Sequence, residues 1–284
     1  MKKIVMFMSS LAMAMVFSAT AFAAGFAADA ESELSGITDE IVTAVNELYA
    51  DEIGREITAA DVDYDKAYKV YVDTDVFKLA TNDAAEIEQA LQAGNHIYKV
   101  PITTAGGTVV VNVQKGQPLS DNAQSLLTEQ EQQEVLSKVG EWVVSVVTFY
   151  ETGDTRYAYD VSIQKEISEI PEGTMLVGSL PYFQDVVGLI PNDNGEVKSL
   201  IPTTALKNEA AVRTYRSASA SNVYEYEQIK AYINALPLGD PEMNAGTGGL
   251  TSNDPGHLFA ASTGAILLCA AALFAIYRKT KTAK

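Results

Sequence analysis

Apolar residues recur along this chain at two periods, about 3.6 and 2, and the alternation between them predicts the order of elements. Ile41, Val45, Leu48 and Tyr49 lie on one helical face of 37–53, with Thr38 available near the N-cap. Tyr68, Val70 and Val72 then alternate with Ala67, Lys69 and Tyr71, as in a half-buried strand. Asp83, with Glu86 three residues on, starts a short helix that carries Ile87 and Leu91 and stops at Gly94. The stretches 96–102 and 108–115 read as the two strands of a β-hairpin around Thr103-Thr104-Ala105-Gly106-Gly107.

Thr128 and Glu131 form a second capping box, opening a helix with Val135, Leu136 and Val139 on one face and Gly140 at its end. The β-branched run 142–150 predicts a strand, turning at Thr152-Gly153-Asp154 into a partner strand with Tyr157, Tyr159, Val161 and Ile163 on one face. From Met175 three apolar runs end at Leu180-Pro181, Ile190-Pro191 and Ile201-Pro202, and Asn194-Gly195 marks a tight turn between the last two. Proline cannot donate to a ladder, so these runs are edge strands or end at the proline. A last helix is expected from Asn222, with Glu225 as its box partner, through Tyr226, Ile229, Ile233 and Leu236 to Pro237.

Helices and hairpins in this order predict an α+β fold over 37–237, with a mostly antiparallel sheet and about four amphipathic helices. It is one domain or two lobes, 37–140 and 141–237. Tyr68-Lys69-Val70 echoes Tyr98-Lys99-Val100, as two strands with similar needs would. The small, acidic stretch 24–36 reads as a disordered leader. The Gly-, Asn- and Pro-rich stretch 238–257 reads as a flexible stalk.

The two ends of the chain differ in kind from this middle. Lys2 and Lys3, an apolar run from Ile4 to Phe17 and Ala21-Phe22-Ala23 have the layout of a cleavable signal peptide over 1–23. At the other end, 258–277 runs from Leu258 to Tyr277 without a charge and is followed by Arg278, Lys279, Lys281 and Lys284. Twenty such residues make roughly 30 Å of helix, enough to cross a bilayer. The basic tail 278–284 then marks the cytoplasmic side. In layout the segment resembles Gram-positive cell-wall sorting signals, although Ala260 and Ala261 stand where Leu and Pro precede the x-T-G of Ser262-Thr263-Gly264. Permanent anchoring is expected over transpeptidation. Small residues four apart, at Ala260/Gly264 and Ala271/Ala275, add a weak homodimerisation signal.

Charge sharpens the picture of the expected ectodomain. All 37 Asp and Glu lie between the two end segments, and six of the 20 Lys and Arg lie within those segments, leaving 14 to oppose the acids. Such a surface repels nucleic acid and anionic polymers and keeps the domain soluble. The single cysteine, Cys269, falls in the membrane segment, so the ectodomain is held by its core rather than by disulfides.

Most catalytic chemistries lack their residues here. Two histidines, His96 and His257, are too few for a histidine-ligated zinc hydrolase, and no G-x-S-x-G accompanies His96. Ser162-Ile163-Gln164-Lys165 matches S-x-x-K and Ser120-Asp121-Asn122 matches S-D-N. Their order is the reverse of that in penicillin-binding proteins, and the ectodomain has no K-T-G. The candidate metal ligands are Asp61, Asp63 and Asp65, followed beyond the adjacent strand by Asp73 and Asp75, hard oxygen donors suited to Ca2+. The EF-hand pattern fails at Lys66 and Val72.

The resulting expectation is a single-pass cell-membrane protein with its N-terminal domain outside, acting as a non-catalytic binding or envelope-associated module. Its partner would be a surface protein or a glycan. A carboxylate-dependent glycan hydrolase and a cation-dependent adhesion or spacer domain are the alternatives. An enzyme should present one concave pocket with converging acids, and a binding module an exposed sheet edge or aromatic patch.

Overall fold

The computed structural model describes residues 26–119, 124, 126–180, 183, 185–204 and 222–235. The expected signal peptide, stalk, membrane segment and basic tail lie outside the described residues, as does Ser120-Asp121-Asn122. No helix among the described residues is long and apolar enough to cross a membrane.

Hydrophobic stretches rich in β-branched and aromatic residues supply eight strands: β1 Tyr68–Tyr71, β2 His96–Thr103, β3 Gly107–Lys115, β4 Trp142–Glu151, β5 Met175–Val177, β6 Val187–Pro191, β7 Val197–Pro202 and β8 Tyr224–Glu225. They form one sheet in the order β4-β3-β2-β1-β5-β6-β7-β8. Every pairing is antiparallel except the central β1–β5, so two meanders grow outward from a parallel seam. The fold is α+β with a mostly antiparallel sheet. The 140/141 division lies in the connection between β3 and β4, two strands that pair along their length.

Six α-helices accompany it among the described residues: α1 Ala30–Leu34, α2 Thr38–Ile53, α3 Ala84–Gln92, α4 Glu129–Ser137, α5 Tyr159–Gln164 and α6 Tyr226–Ala235. One sheet face buries Leu34, Ile41, Val45 and Ile53 of α1 and α2 against Tyr98, Val100, Ile102, Val109, Val111 and Trp142. Further along the same face, Ile87 and Leu91 of α3 and Tyr226 and Ile229 of α6 pack on Tyr71, Val177, Leu189 and Leu200. The opposite face is covered at its centre by α5, whose Tyr159 and Ile163 meet Tyr68, Val70, Leu176 and Ile201. At about 25 cal/mol per Å² of apolar surface, these three clusters supply the main driving force for folding.

Several sequence expectations are corrected. The leader 24–36 contains α1, with Phe26, Ala27, Ala30 and Leu34 buried. Ala30 and Leu34 are four apart, and a two-position apolar stripe was enough to dock so short a helix. Residues 159–164 are helical, not the strand expected through 163. Tyr157, Tyr159, Val161 and Ile163 fit period 2, but Tyr159 and Ile163 also fit i, i+4, and only those two are buried within the helix. The last helix starts at Tyr226, because Glu225 lies in β8 and pairs with Lys198 at 3.3 Å. Asn222 donates instead to the Glu166 carboxylate, through its backbone N–H at 3.1 Å and its side-chain amide at 2.9 Å.

Two local devices hold α2 to the sheet. At the β2–β3 hairpin tip, Gly106 lies against the end of α2, where a Cβ would sit 2.8 Å from the Glu52 carbonyl oxygen and 3.1 Å from Ile53 Cα. Along the outer edge of β4, the Val144 N–H donates to Glu40 Oε1 at 3.4 Å, and Tyr49 Oη donates to the Val147 carbonyl at 3.3 Å. Both of these side chains come from α2.

Candidate functional site

The five aspartates expected as calcium ligands are divided by the fold. Asp61, Asp63 and Asp65 precede β1, and Asp73 and Asp75 follow it, so the four residues of that strand hold the groups roughly 10 Å or more apart. Four of the five carboxylates are also engaged. Asp61 bonds Arg55 at 2.6 and 3.1 Å and accepts the Thr58 N–H, and the Arg55 guanidinium holds its carboxyl well below the usual range. Asp63 accepts the Asp65 N–H and pairs with Lys66 at 2.9 Å. Asp73 accepts from Asn95, and Asp75 accepts the Phe77 N–H and pairs with Lys78 at 3.4 Å. Asp65 is exposed. Among the described residues, no group of three or more His, Cys, Asp or Glu side chains is placed to hold a metal.

His96 lies in a cluster at the end of β2. Its ring meets those of Tyr71, Tyr98 and Trp142 edge-on, with centroids 6.1, 5.3 and 5.4 Å away. Burial, aided by the Lys69 and Lys115 ammoniums, pushes its imidazolium down to about 4. Nε2 is buried without a hydrogen-bond partner, 3.9 Å from Glu33. The surrounding charges fasten α1 to the sheet: Lys69 bonds Asp29 at 2.5 Å, and Tyr98 Oη donates to Glu33 at 3.1 Å. Burial works to raise the Asp29 carboxyl, but Lys69 and Tyr98 together hold it below its ordinary value. With His96 neutral near pH 7 and its neighbours ion-paired, the cluster is a structural lock.

On the opposite face, Lys99 donates to Tyr159 Oη, and Tyr68 Oη donates to Asp160 at 2.5 Å. Burial lowers the pKa of the Lys99 ammonium and raises that of the Tyr159 phenol. Ser162 and Lys165, the S-x-x-K pair, belong to helix α5 and its C-cap, with Lys165 exposed.

Carboxylates do converge on one open depression of about 390 Å³, lined by Asp83, Glu88, Glu172 and Asp193 with Gly173, Pro191, Asn192 and Gly195. All four acids are exposed, and Asp83 is already committed to capping α3 by accepting the Glu86 N–H at 3.0 Å. Glycoside cleavage needs one carboxyl kept protonated by a water-poor environment, and these acids face solvent.

The arrangement best suited to contact is α4. Thr128 and Glu131 form the expected capping box, with the Thr128 N–H and hydroxyl donating to Glu131 at 2.9 and 2.7 Å. Gln132 Nε2 ties the preceding loop down through the Gln124 and Leu127 carbonyls, at 2.7 and 3.0 Å. Beyond the helix, Gly140 N–H donates to the Gly116 carbonyl at 2.9 Å, and Gly116 N–H to the Glu141 carbonyl at 2.8 Å. A Cβ on Gly116 would lie 2.1 Å from the Lys138 carbonyl oxygen, so only glycine permits this clasp.

The clasp holds α4 in the β3–β4 connection, yet no residue of α4 is buried. The sequence pattern predicted that Val135, Leu136 and Val139 would form its core face. Instead Leu136 and Val139 are 52% and 41% exposed, and Leu126 just before the helix is 81% exposed. These three are the exposed large apolar side chains among the described residues, and Glu129, Glu134 and Glu141 lie around them in sequence. A warning was present in the sequence: the first six helical residues, Glu129-Gln130-Glu131-Gln132-Gln133-Glu134, contain no apolar side chain. The apolar residues are confined to the C-terminal end of the helix and the turn after it. No protein-family model, curated protein or solved structure matches this chain.

Proposed function

We propose that this chain is a membrane-anchored, extracytoplasmic binding module without catalytic function, and that α4 is its contact surface. The observation that carries this reading is the exposure of Leu126, Leu136 and Val139 on and just beside α4, a helix with no fully buried residue. A nine-residue helix is too short to persist in water by propensity alone, so a bound neighbour would stabilise it. Exposed apolar side chains rimmed by polar ones are characteristic of protein contact sites. Placement outside a Gram-positive-type membrane is supported by the signal-like start, by 258–277 with its basic end, and by the acidic middle of the chain.

A photoreactive residue at Leu136 or Val139 of the full chain, on intact host cells, tests both parts. A defined adduct is expected from these positions and not from Glu88 on α3, and external protease should remove it. Equal adducts from all three positions, or protection from protease, would overturn the proposal.

A further inference from the structure

The charges around α4 narrow the partner. Glu129, Glu131, Glu134 and Glu141 belong to the excursion between Gly116 and Trp142, against the single basic Lys138, in a chain whose net charge is −17. Lys138 is itself 3.9 Å from Glu141. A second copy of α4 would bring glutamates onto glutamates, which costs energy at such short range. An anionic bilayer surface would be repelled for the same reason. A helix with Leu, Ile or Val on one face and Lys or Arg flanking it would cover Leu136 and Val139 while its cations meet Glu129, seven residues before Leu136 on the same side of α4, and Glu141 beyond Val139. We infer that α4 docks a basic amphipathic helix of another protein. This inference rests on the reading of α4 as the contact surface.

The test uses the full chain in zwitterionic nanodiscs and three probes: an amphipathic helical peptide of leucine and lysine, the same residues scrambled, and a leucine–glutamate counterpart. The leucine–lysine helix is expected to bind. Leu136→Ser with Val139→Ser should weaken it by about tenfold or more, from the apolar area no longer covered. Glu129→Gln with Glu141→Gln should weaken it and flatten its salt dependence. These positions are exposed, so the variants keep the fold.

Equal binding of the scrambled peptide would reduce the effect to bulk charge and overturn the inference. Tighter binding of the leucine–glutamate helix, lost on Leu136→Ser, would overturn the partner class while leaving α4 as a contact surface. A dimer of the chain that the same substitution dissociates would assign the surface to a second copy. Binding of the leucine–lysine helix that ignores both double substitutions would overturn the inference and the contact surface together.

Discussion

Lys69 and Tyr98 face each other across β1 and β2, with the ammonium 5.6 Å from the ring centroid. The same ammonium lies 5.9 Å from the Tyr71 ring centroid and bonds Asp29 of the loop leading into α1. One side chain therefore joins the N-terminal helix to the sheet. Lys69→Met should destabilise the chain by about 1–2 kcal/mol, through the lost ion pair and cation–π contacts. Urea unfolding measures it, and a double-mutant cycle with Asp29→Asn should show coupling. Additive effects would mean the pair contributes nothing.

His96 makes stability depend on acidity. Its imidazolium titrates at about 4 when folded, against 6.5 in an ordinary setting. The unfolded chain therefore binds the proton more readily between those values. Stability from this residue is fully present above pH 6.5 and is lost progressively as the pH falls to about 4, a difference of up to about 3 kcal/mol. His96→Phe should remove that part of the pH slope, and an unchanged slope in urea midpoints across this window would contradict it.

Because no residue of α4 is fully buried, its cap should act locally. Thr128→Ala removes an N-cap hydroxyl, a loss of about 1 kcal/mol. Hydrogen exchange in 129–137 should accelerate several-fold while the global unfolding midpoint stays in place. A matching fall in the midpoint would mean that α4 is integral to the core.

Gly106→Ala would place a methyl against the backbone at the end of α2. Separating the hairpin tip from that helix should cost about 1–3 kcal/mol, within the range for overpacking. Thermal unfolding reads this directly, and an alanine variant as stable as the parent would show that the contact yields freely.

The aspartates on either side of β1 are separated by the strand, and Asp61, Asp63, Asp73 and Asp75 are engaged with their own neighbours. Millimolar calcium should leave the thermal midpoint where a chelator leaves it. A rise with calcium would instead support a cation-dependent adhesion domain.

Much of this fold was legible because short-range chemistry agreed with the tertiary outcome. Asp83 caps α3 and Thr128 caps α4 as their spacing predicts, and the hairpin around Gly106 and the stops at Pro191 and Pro202 follow from turn and proline stereochemistry. The misses came where two periods fit the same residues. Tyr159 and Ile163 satisfy both, and the choice was made by the central strands that α5 covers. The repeated Tyr-Lys-Val tripeptides proved to be antiparallel neighbours, with Tyr68 opposite Lys99 and Lys69 opposite Tyr98, so each lysine points to a different face. At α4 the trio Val135, Leu136 and Val139 has the spacing of a core stripe without a core beneath it. Spacing tells which side chains share a side of a helix, and not whether anything lies against them.

Glu40 and Tyr49 occupy backbone groups along the rim of β4, and the far rim ends in a strand only two residues long. Neither border offers a long bare ladder to another chain. At high local concentration, that matters more than it would in dilute solution. Neighbouring copies can crowd without pairing edge to edge into fibrils.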